Sequence, residues 1–389
     1  MNFALTEQQV SIRDAIRKLA SDFDDHYWYS CDNNAEFPLA FYDRLAEDGW
    51  LGICTDSAFG GAGLGVTEAS VMMRQIAESG AGMSGSSAVH INIFGLKPVE
   101  LYATDEQKER MLRPMVEGRE KACFAVTEPN TGLNTTQLRL RAERRGDTYL
   151  VNGQKVWIST AQVADRVLLL ARTTPLEEVS KRSHGLSLFY TRFDRQQVNV
   201  KEIKKMGRHA VDSNELFFEN VEIPAADLIG EEGRGFEYIL HGMNPERILI
   251  AAEAVGLGFA ALHRAAAYAK ERNVFDRPIG QNQSIQHPLA ICLSELEAAW
   301  LVVLKAAWEF DNGVPTCGAT ANMAKYLAGE AGFNACQQAV MTHGGFGYAR
   351  EYHVERYLRE SLIPRIAPVS PQLALCYIAE RVLGLPRSY

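Results

Sequence analysis

Cysteine is sparse and unpatterned in this 389-residue chain: seven residues, at positions 31, 54, 123, 292, 317, 336 and 376, with no Cys-x-x-Cys spacing. That excludes a disulfide framework and a thiolate zinc site, and no metal is expected; the pattern reads as reduced thiols in a reducing compartment. Excess basic charge is missing too. Lys and Arg number 40 against 48 Asp and Glu, a formal net charge of −8, whereas nucleic-acid binding needs a clustered cationic surface. The runs Arg141-Arg144-Arg145 and Lys201-Lys204-Lys205 are short and read as solvated strand faces, so no nucleic-acid partner is expected. No unbroken apolar run approaches the ~20 residues of a membrane span, and the opening residues carry no basic and apolar leader. The expectation is a soluble, cytoplasmic protein with no membrane span.

What remains is an ordinary globular composition, 47% hydrophobic and 23% charged with a mean hydropathy of −0.16. It is enough chain for a large core divided among packing units. Three stretches separate by periodicity. Residues 1–120 read as helical: Thr6 caps a helix carrying Val10, Ile12, Ile16 and Leu19, further helices are expected over 37–51 and 68–76, and Thr104-Asp-Glu-Gln107 is a capping box opening 108–116. Residues 121–232 read as a β block, a small barrel or sandwich. There Leu138, Leu140 and Ala142 alternate with charged residues, Gly146-Asp147 turns the chain, and Asn152-Gly153 is read as a hairpin turn. Residues 233–389 return to helix, with long apolar segments over 248–268, 284–310, 319–341 and 371–383 that should pack together as a four-helix bundle. The fold class is thus α+β and multi-domain.

Several short motifs then stand out. Val126-Thr-Glu-Pro-Asn-Thr-Gly132 places Thr127 at a strand end running into a Glu-Pro turn, where its N–H and hydroxyl are free either to face a polar ligand edge or to satisfy the turn itself. In Gln154-Lys-Val-Trp-Ile-Ser159, Trp157 offers a broad apolar plate or a core aromatic, and Ser159 falls on the same strand face. His343-Gly-Gly-Phe-Gly-Tyr348 permits close backbone approach to a ligand at Gly344 and Gly345, but its spacing is not that of a dinucleotide fingerprint. Arg272-Asn-Val-Phe275 pairs a guanidinium suited to a pyrophosphate with a ring suited to stacking.

Taken in order, and with Leu5-Thr-Glu-Gln8, Phe59-Gly-Gly-Ala-Gly-Leu-Gly65 and Asp105-Glu-Gln-Lys108, these motifs resemble the acyl-CoA dehydrogenase family from end to end. The resemblance implies a helical N-terminal domain, a central β domain and a C-terminal four-helix bundle. It also implies FAD bound partly across a subunit interface of a dimer or tetramer, and electrons leaving to an electron-transfer flavoprotein. Carried over by motif, the cofactor-binding positions are Val126, Thr127, Gly132, Trp157, Ser159, Arg272, Phe275, Gln283, Gly344, Gly345, Ser370 and Gln372. Departures occur at Leu133 and Asn134, where the family has a Ser-Asp pair, at Met341 in place of a Gln, and at Asp276 in place of a Gly.

The main departure is Pro368, which stands where most relatives carry their catalytic Glu and where its missing N–H removes a polarising contact as well. In relatives resembling isovaleryl- and long-chain acyl-CoA dehydrogenases the base lies on a bundle helix immediately before an Arg, and Glu246-Arg247 matches that pattern. The expectation is α,β-dehydrogenation of an acyl-CoA to the trans-2-enoyl-CoA, with Glu246 as base, hydride passing to flavin N5, and Asn244 and Arg247 on the substrate side. A purely structural reading competes, with Asn244 as helix cap, Pro245 in the first turn and Glu246 held ionised beside the positive helix end. Two further readings stay open: a flavin monooxygenase or oxidase of the same superfamily, and a non-catalytic CoA- or flavin-binding scaffold. The acyl group is not legible.

Overall fold

A computed structural model describes residues 3–388. Its first part consists of helices Glu7–Ala20 (α1), Asp25–Asn34 (α2), Leu39–Glu47 (α3), Val66–Ile76 (α4), Gly82–Phe94 (α5), Lys97–Tyr102 (α6) and Asp105–Val116 (α7). Thr6 with Gln9, and Thr104 with Gln107, close reciprocal caps on α1 and α7, satisfying N–H groups that a first helical turn leaves unpaired. The helix read over 37–51 is shorter, ending at Glu47 before a 3₁₀ turn at Trp50–Gly52. Three helices of this part escape the sequence reading: α2, α5 and α6. Buried on nearly every side, α5 has no solvated stripe to set off an apolar one.

Strands Ala122–Ala125 (β1), Arg141–Arg145 (β2), Thr148–Ser159 (β3), Arg166–Arg172 (β4), Leu186–Arg192 (β5), Val198–Glu202 (β6), Ser213–Pro224 (β7) and Leu228–Ile229 (β8) form one eight-stranded sheet. Its order is β6-β7-β3-β2-β4-β5-β8, with β1 parallel to β4. Strand β4 is buried on both faces: Val167, Leu169 and Ala171 meet Tyr149, Phe189 and Phe218, while Leu168 and Leu170 meet Met111, Leu112 and Met115 of α7. Two sequence expectations fail here. Asn152-Gly153 lies inside β3, where the register shifts between Val151 and Gly153, so it marks a bulge; Gly146-Asp147 makes the turn. Leu138 and Leu140 face different clusters because the regular strand starts only at Arg141.

Helices Gly235–Glu271 (α8), Gln283–Asp311 (α9) and Cys317–His343 (α10), with the later Pro371–Arg381 against α10, make the bundle. Between α8 and α9 a small hairpin pairs Asn273–Val274 with Arg277–Pro278. Past α10 come Val354–Glu360 (α11), Ile363–Ile366 (α12) and Pro371–Arg381 (α13). By length and hydropathy two helical stretches reach the threshold for a membrane span, contrary to the run-length reading. The first is α8, with 89% of its window buried inside the protein; the second covers α11 to α13, which are three separate helices.

The helix bearing Glu246 begins at Gly235, not at Asn244. Pro245 sits in its interior, where it withholds a hydrogen bond from the carbonyl of His241. Glu246 is therefore far from the positive helix end, and the first-turn alternative is overturned.

Candidate active site

The two sequence motifs of the β domain are locked together by a buried ion pair that the sequence reading missed. Lys155 of β3 is fully buried; its Nζ donates to Glu128 Oε1 at 3.0 Å and to the carbonyl of Val126 at 2.8 Å. Glu128 also accepts the N–H groups of Arg139 and Leu140. Burial lowers the proton affinity of Lys155, to about 8, against the pull of Glu128. A lysine at an inward strand position was the available signal. The clamp fixes Val126 and Thr127 beside β3; the Thr127 carbonyl accepts from Val156 N–H at 2.9 Å.

Just beyond the clamp the register of β3 shifts again, between Lys155 and Ile158. Trp157 takes a left-handed backbone, φ 63°, and its ring is 59% exposed. An exposed indole on a strained bulge is a plate without a protein partner. Ser159 follows on the same open side, and its Oγ accepts from Arg208 at 2.9 Å.

Arg208, which the sequence reading did not single out, joins the domains. Its guanidinium also donates to Ser87 of α5 at 3.1 Å. Burial lowers its proton affinity, opposed by Glu253, Glu360 and Asp212. One turn after Ser87, His90 Nδ1 bonds Glu253 Oε1 of α8, a carboxylate with no solvent exposure. Burial works against a charged imidazole here, but Glu253 first and Glu246 after it hold its proton affinity above the ordinary value.

Glu246 lies seven residues before Glu253 on α8, two turns away along one helix face. Burial pushes its carboxyl up to about 7; His90, Arg247 and Lys325 pull down, and Glu253 adds to the rise. The residue is half-buried and keeps part of its solvent access. A depressed proton affinity, expected of a first-turn carboxylate, is not found. Asn244 and Arg247 bond each other at 3.2 Å, and Arg247 Nε has no partner among the described residues. Lys325 of α10 donates to the Val369 carbonyl, tying the segment that carries Pro368 to the side of Glu246. Burial lowers Lys325 to about 8, Arg247 lowers it further, and Glu246 opposes both.

The remaining cofactor positions are dispersed over one chain. Gly344 and Gly345 have open space around them, whereas a side chain at Gly347 would collide with the Val340 carbonyl. With Tyr268, Arg272, Met341 and Phe346 the first two line a cavity of about 450 Å³. Arg272 lies over the Phe346 ring, 5.5 Å from its centroid. Phe275 is 93% exposed at the tip of the small hairpin, where it and Asp276 both have positive φ, 52° and 61°. Gln283 and Gln372 are exposed; Gly132 faces open space; the Ser370 hydroxyl caps α13 by accepting from Leu373 N–H. Arg272, Phe275 and Gln283 thus sit away from Trp157 and Ser159 and point outward.

The residues fit parts of a flavin dinucleotide at two separate places: an exposed indole at Trp157 beside the Ser159 hydroxyl, and open glycines with the Arg272 guanidinium around the cavity they line.

Comparison with known proteins agrees. Family models for the N-terminal, middle and C-terminal domains of acyl-CoA dehydrogenase match residues 6–119, 123–221 and 233–383. An acyl-CoA dehydrogenase of Mycobacterium tuberculosis is 34% identical over 392 residues, 100% of this chain and 99% of that protein. A subunit of the caffeyl-CoA reductase-Etf complex of Acetobacterium woodii is 32% identical, over 95% of this chain and 97% of that protein. Among solved structures, a glutaryl-coenzyme A dehydrogenase in complex with glutaryl-CoA superposes with a TM-score of 0.93 at 29% identity, covering 100% of this chain and 98% of that one. The FAD complex of PigA superposes with a TM-score of 0.92 at 26% identity, covering 99% and 100%.

Proposed function

Because the chain belongs to the acyl-CoA dehydrogenase family, as an oxidoreductase acting on acyl-CoA with FAD as its cofactor, we propose that it performs α,β-dehydrogenation with Glu246 as the base. The supporting observation is the Glu246 carboxyl, raised to about 7 by burial and placed within the electrostatic reach of His90 and Glu253, in a polar region where Arg208 bonds Ser159. At that value the group is part ionised near neutrality and returns a proton readily.

FAD, which Val126, Thr127, Trp157 and Ser159 would hold within the chain, would supply the acceptor for the hydride leaving Cβ. Glu246 takes the proton from Cα; the acyl group loses both and becomes the trans-2-enoyl thioester. Pro368 has no N–H to offer the thioester oxygen, so that oxygen must be met by other donors; Arg247 Nε is an unpartnered one on the same helix face as Asn244. Asn244 and Arg247 are assigned to the thioester and CoA side.

Arg272, Phe275 and Gln283, all outward, are assigned to the FAD of a neighbouring copy in a dimer or tetramer. The Acetobacterium relative is named for a complex with Etf, which supports an electron-transfer flavoprotein as electron acceptor. Seven free cysteines support placement in the cytoplasm. Pro368 is what favours a second reading, an oxygen-consuming flavin enzyme of the same fold. Anaerobic mixing with acyl-CoA separates them: the dehydrogenase bleaches its flavin without oxygen, and oxygen uptake stoichiometric with substrate, with no other acceptor present, would establish the second.

A further inference from the structure

A seam of polar side chains runs through the middle of the protein beside Glu246. On α5, Ser84, Ser87 and His90 recur at every third residue and meet three different elements. Ser84 donates to Glu360 of α11 at 2.7 Å, Ser87 accepts from Arg208, and His90 bonds Glu253 of α8. Almost all of this bonding is complete. Two atoms are not: Glu253 Oε2, on a residue with no exposed surface, and Arg208 Nε have no hydrogen-bond partner among the described residues. One is an acceptor, the other a donor, and each leaves its desolvation uncompensated. A hydroxyl group carries the chemistry that both lack, a proton to donate to the carboxylate and a lone pair to accept from the guanidinium.

The helix itself gives the direction in which a substrate reaches that place. Leu240 and His241 of α8 are exposed, while Ile248 and everything onward to Leu262 is buried. A thioester whose reacting carbons lie at Glu246 keeps its large, charged CoA portion at the exposed end of α8, and its acyl group continues inward. Glu253 lies about 10.5 Å further along the helix axis, on the same face. There an unbranched alkyl end would cover a buried carboxylate without satisfying it.

We propose that the acyl group of the substrate carries a hydroxyl, aliphatic or phenolic, which binds at Glu253 and Arg208, and that Glu253 with His90 selects hydroxylated acyl-CoA over its unsubstituted counterpart. The proposal rests on Glu246 marking the reacting carbons. His90 is a positioning residue: its bond to Oε1 leaves Oε2 as the oxygen turned to the ligand.

Matched pairs of acyl-CoA test it. Anaerobic flavin bleaching is compared for 3-(4-hydroxyphenyl)propanoyl-CoA against 3-phenylpropanoyl-CoA, and for 10-hydroxydecanoyl-CoA, whose extended chain spans the separation of the two carboxylates, against decanoyl-CoA. Binding of each is followed separately by the perturbation of the flavin spectrum in Glu246→Gln, which does not turn over. At least one pair should favour the hydroxylated member by about a hundredfold or more, as a site built to bond a substrate hydroxyl does. Glu253→Leu should bring that ratio to within about threefold. Equal bleaching by both members of both pairs in the wild-type protein overturns the proposal and leaves the dehydrogenase reading intact, and needs no folded variant. A preference that survives in Glu253→Leu also overturns it. Bleaching by no acyl-CoA at all removes the assignment of Glu246 and this proposal with it.

Discussion

Acidification should switch off the reduction of bound flavin by acyl-CoA, and the titrating group should be Glu246. Burial, the largest influence, carries its carboxyl from the ordinary 4.5 to about 7, with Glu253 adding to the rise and His90, Arg247 and Lys325 opposing it. A base half ionised at about pH 7 is ionised in about one molecule in ten at pH 6 and one in a hundred at pH 5. In stopped-flow bleaching without oxygen, log kcat/KM should therefore climb with unit slope up to about pH 7 and level off above, since that quantity reports the free enzyme. Glu246→Gln should keep its yellow cofactor and lose on the order of 10⁴ in the bleaching rate. Stability supplies an independent readout with a definite sign. The folded-state proton affinity lies above the unfolded one, so the group's stabilisation is full below about pH 4.5 and is lost as pH rises through about 7. The whole difference corresponds to about 3 kcal/mol, and half of that is a fair expectation for a side chain with partial solvent access. Glu246→Gln should thus gain about 1–2 kcal/mol at pH 8 and nothing at pH 4. A bleaching rate independent of pH between 5 and 8, or a variant as fast as the wild type, would refute the reasoning.

Other consequences are equally open to measurement. Glu128→Leu strands the Lys155 ammonium in the β domain and orphans two N–H groups; denaturant unfolding should show a loss of about 3–5 kcal/mol, only part of it recovered in Glu128→Leu with Lys155→Met, which removes the ammonium but leaves the two N–H groups unpaired. An unchanged midpoint for the single variant would mean that the pair contributes nothing. Asp276→Gly should raise the thermal midpoint, by up to about 1 kcal/mol of stability, because the two-residue hairpin turn holds φ 61° at that position; a lower midpoint contradicts it. Arg208→Met frees the Ser159 hydroxyl and should shift the visible spectrum of the bound flavin, where Arg44→Met on the surface does not; identical spectra would disconnect Arg208 from the cofactor.

The reach of the sequence is clearest on the β domain. The motifs of Thr127 and Trp157 are local and could be read in order, yet nothing local showed that Glu128 and Lys155 bind each other, since the partners are 27 residues apart. Turn chemistry misled at Asn152-Gly153, where a dipeptide that suits a type I′ turn suits a bulge equally well. Helix α5 was invisible for a different reason. Periodicity reports contrast between a wet and a dry face, and a helix buried all round has none. It is this helix that delivers Ser87 and His90 to the site.

Family and domain order came from residue types in linear order, as did the proposal of Glu246 over Pro368 as base, because short-range chemistry and spacing carry them. The environment of the base did not. That Glu246 lies deep in α8 and not at a helix start, with a raised proton affinity and a polar seam beyond it, depends on burial and on His90, Arg208 and Lys325 arriving from three other elements. Desolvation and through-space charge have no sequence signature; only the packed chain sets them.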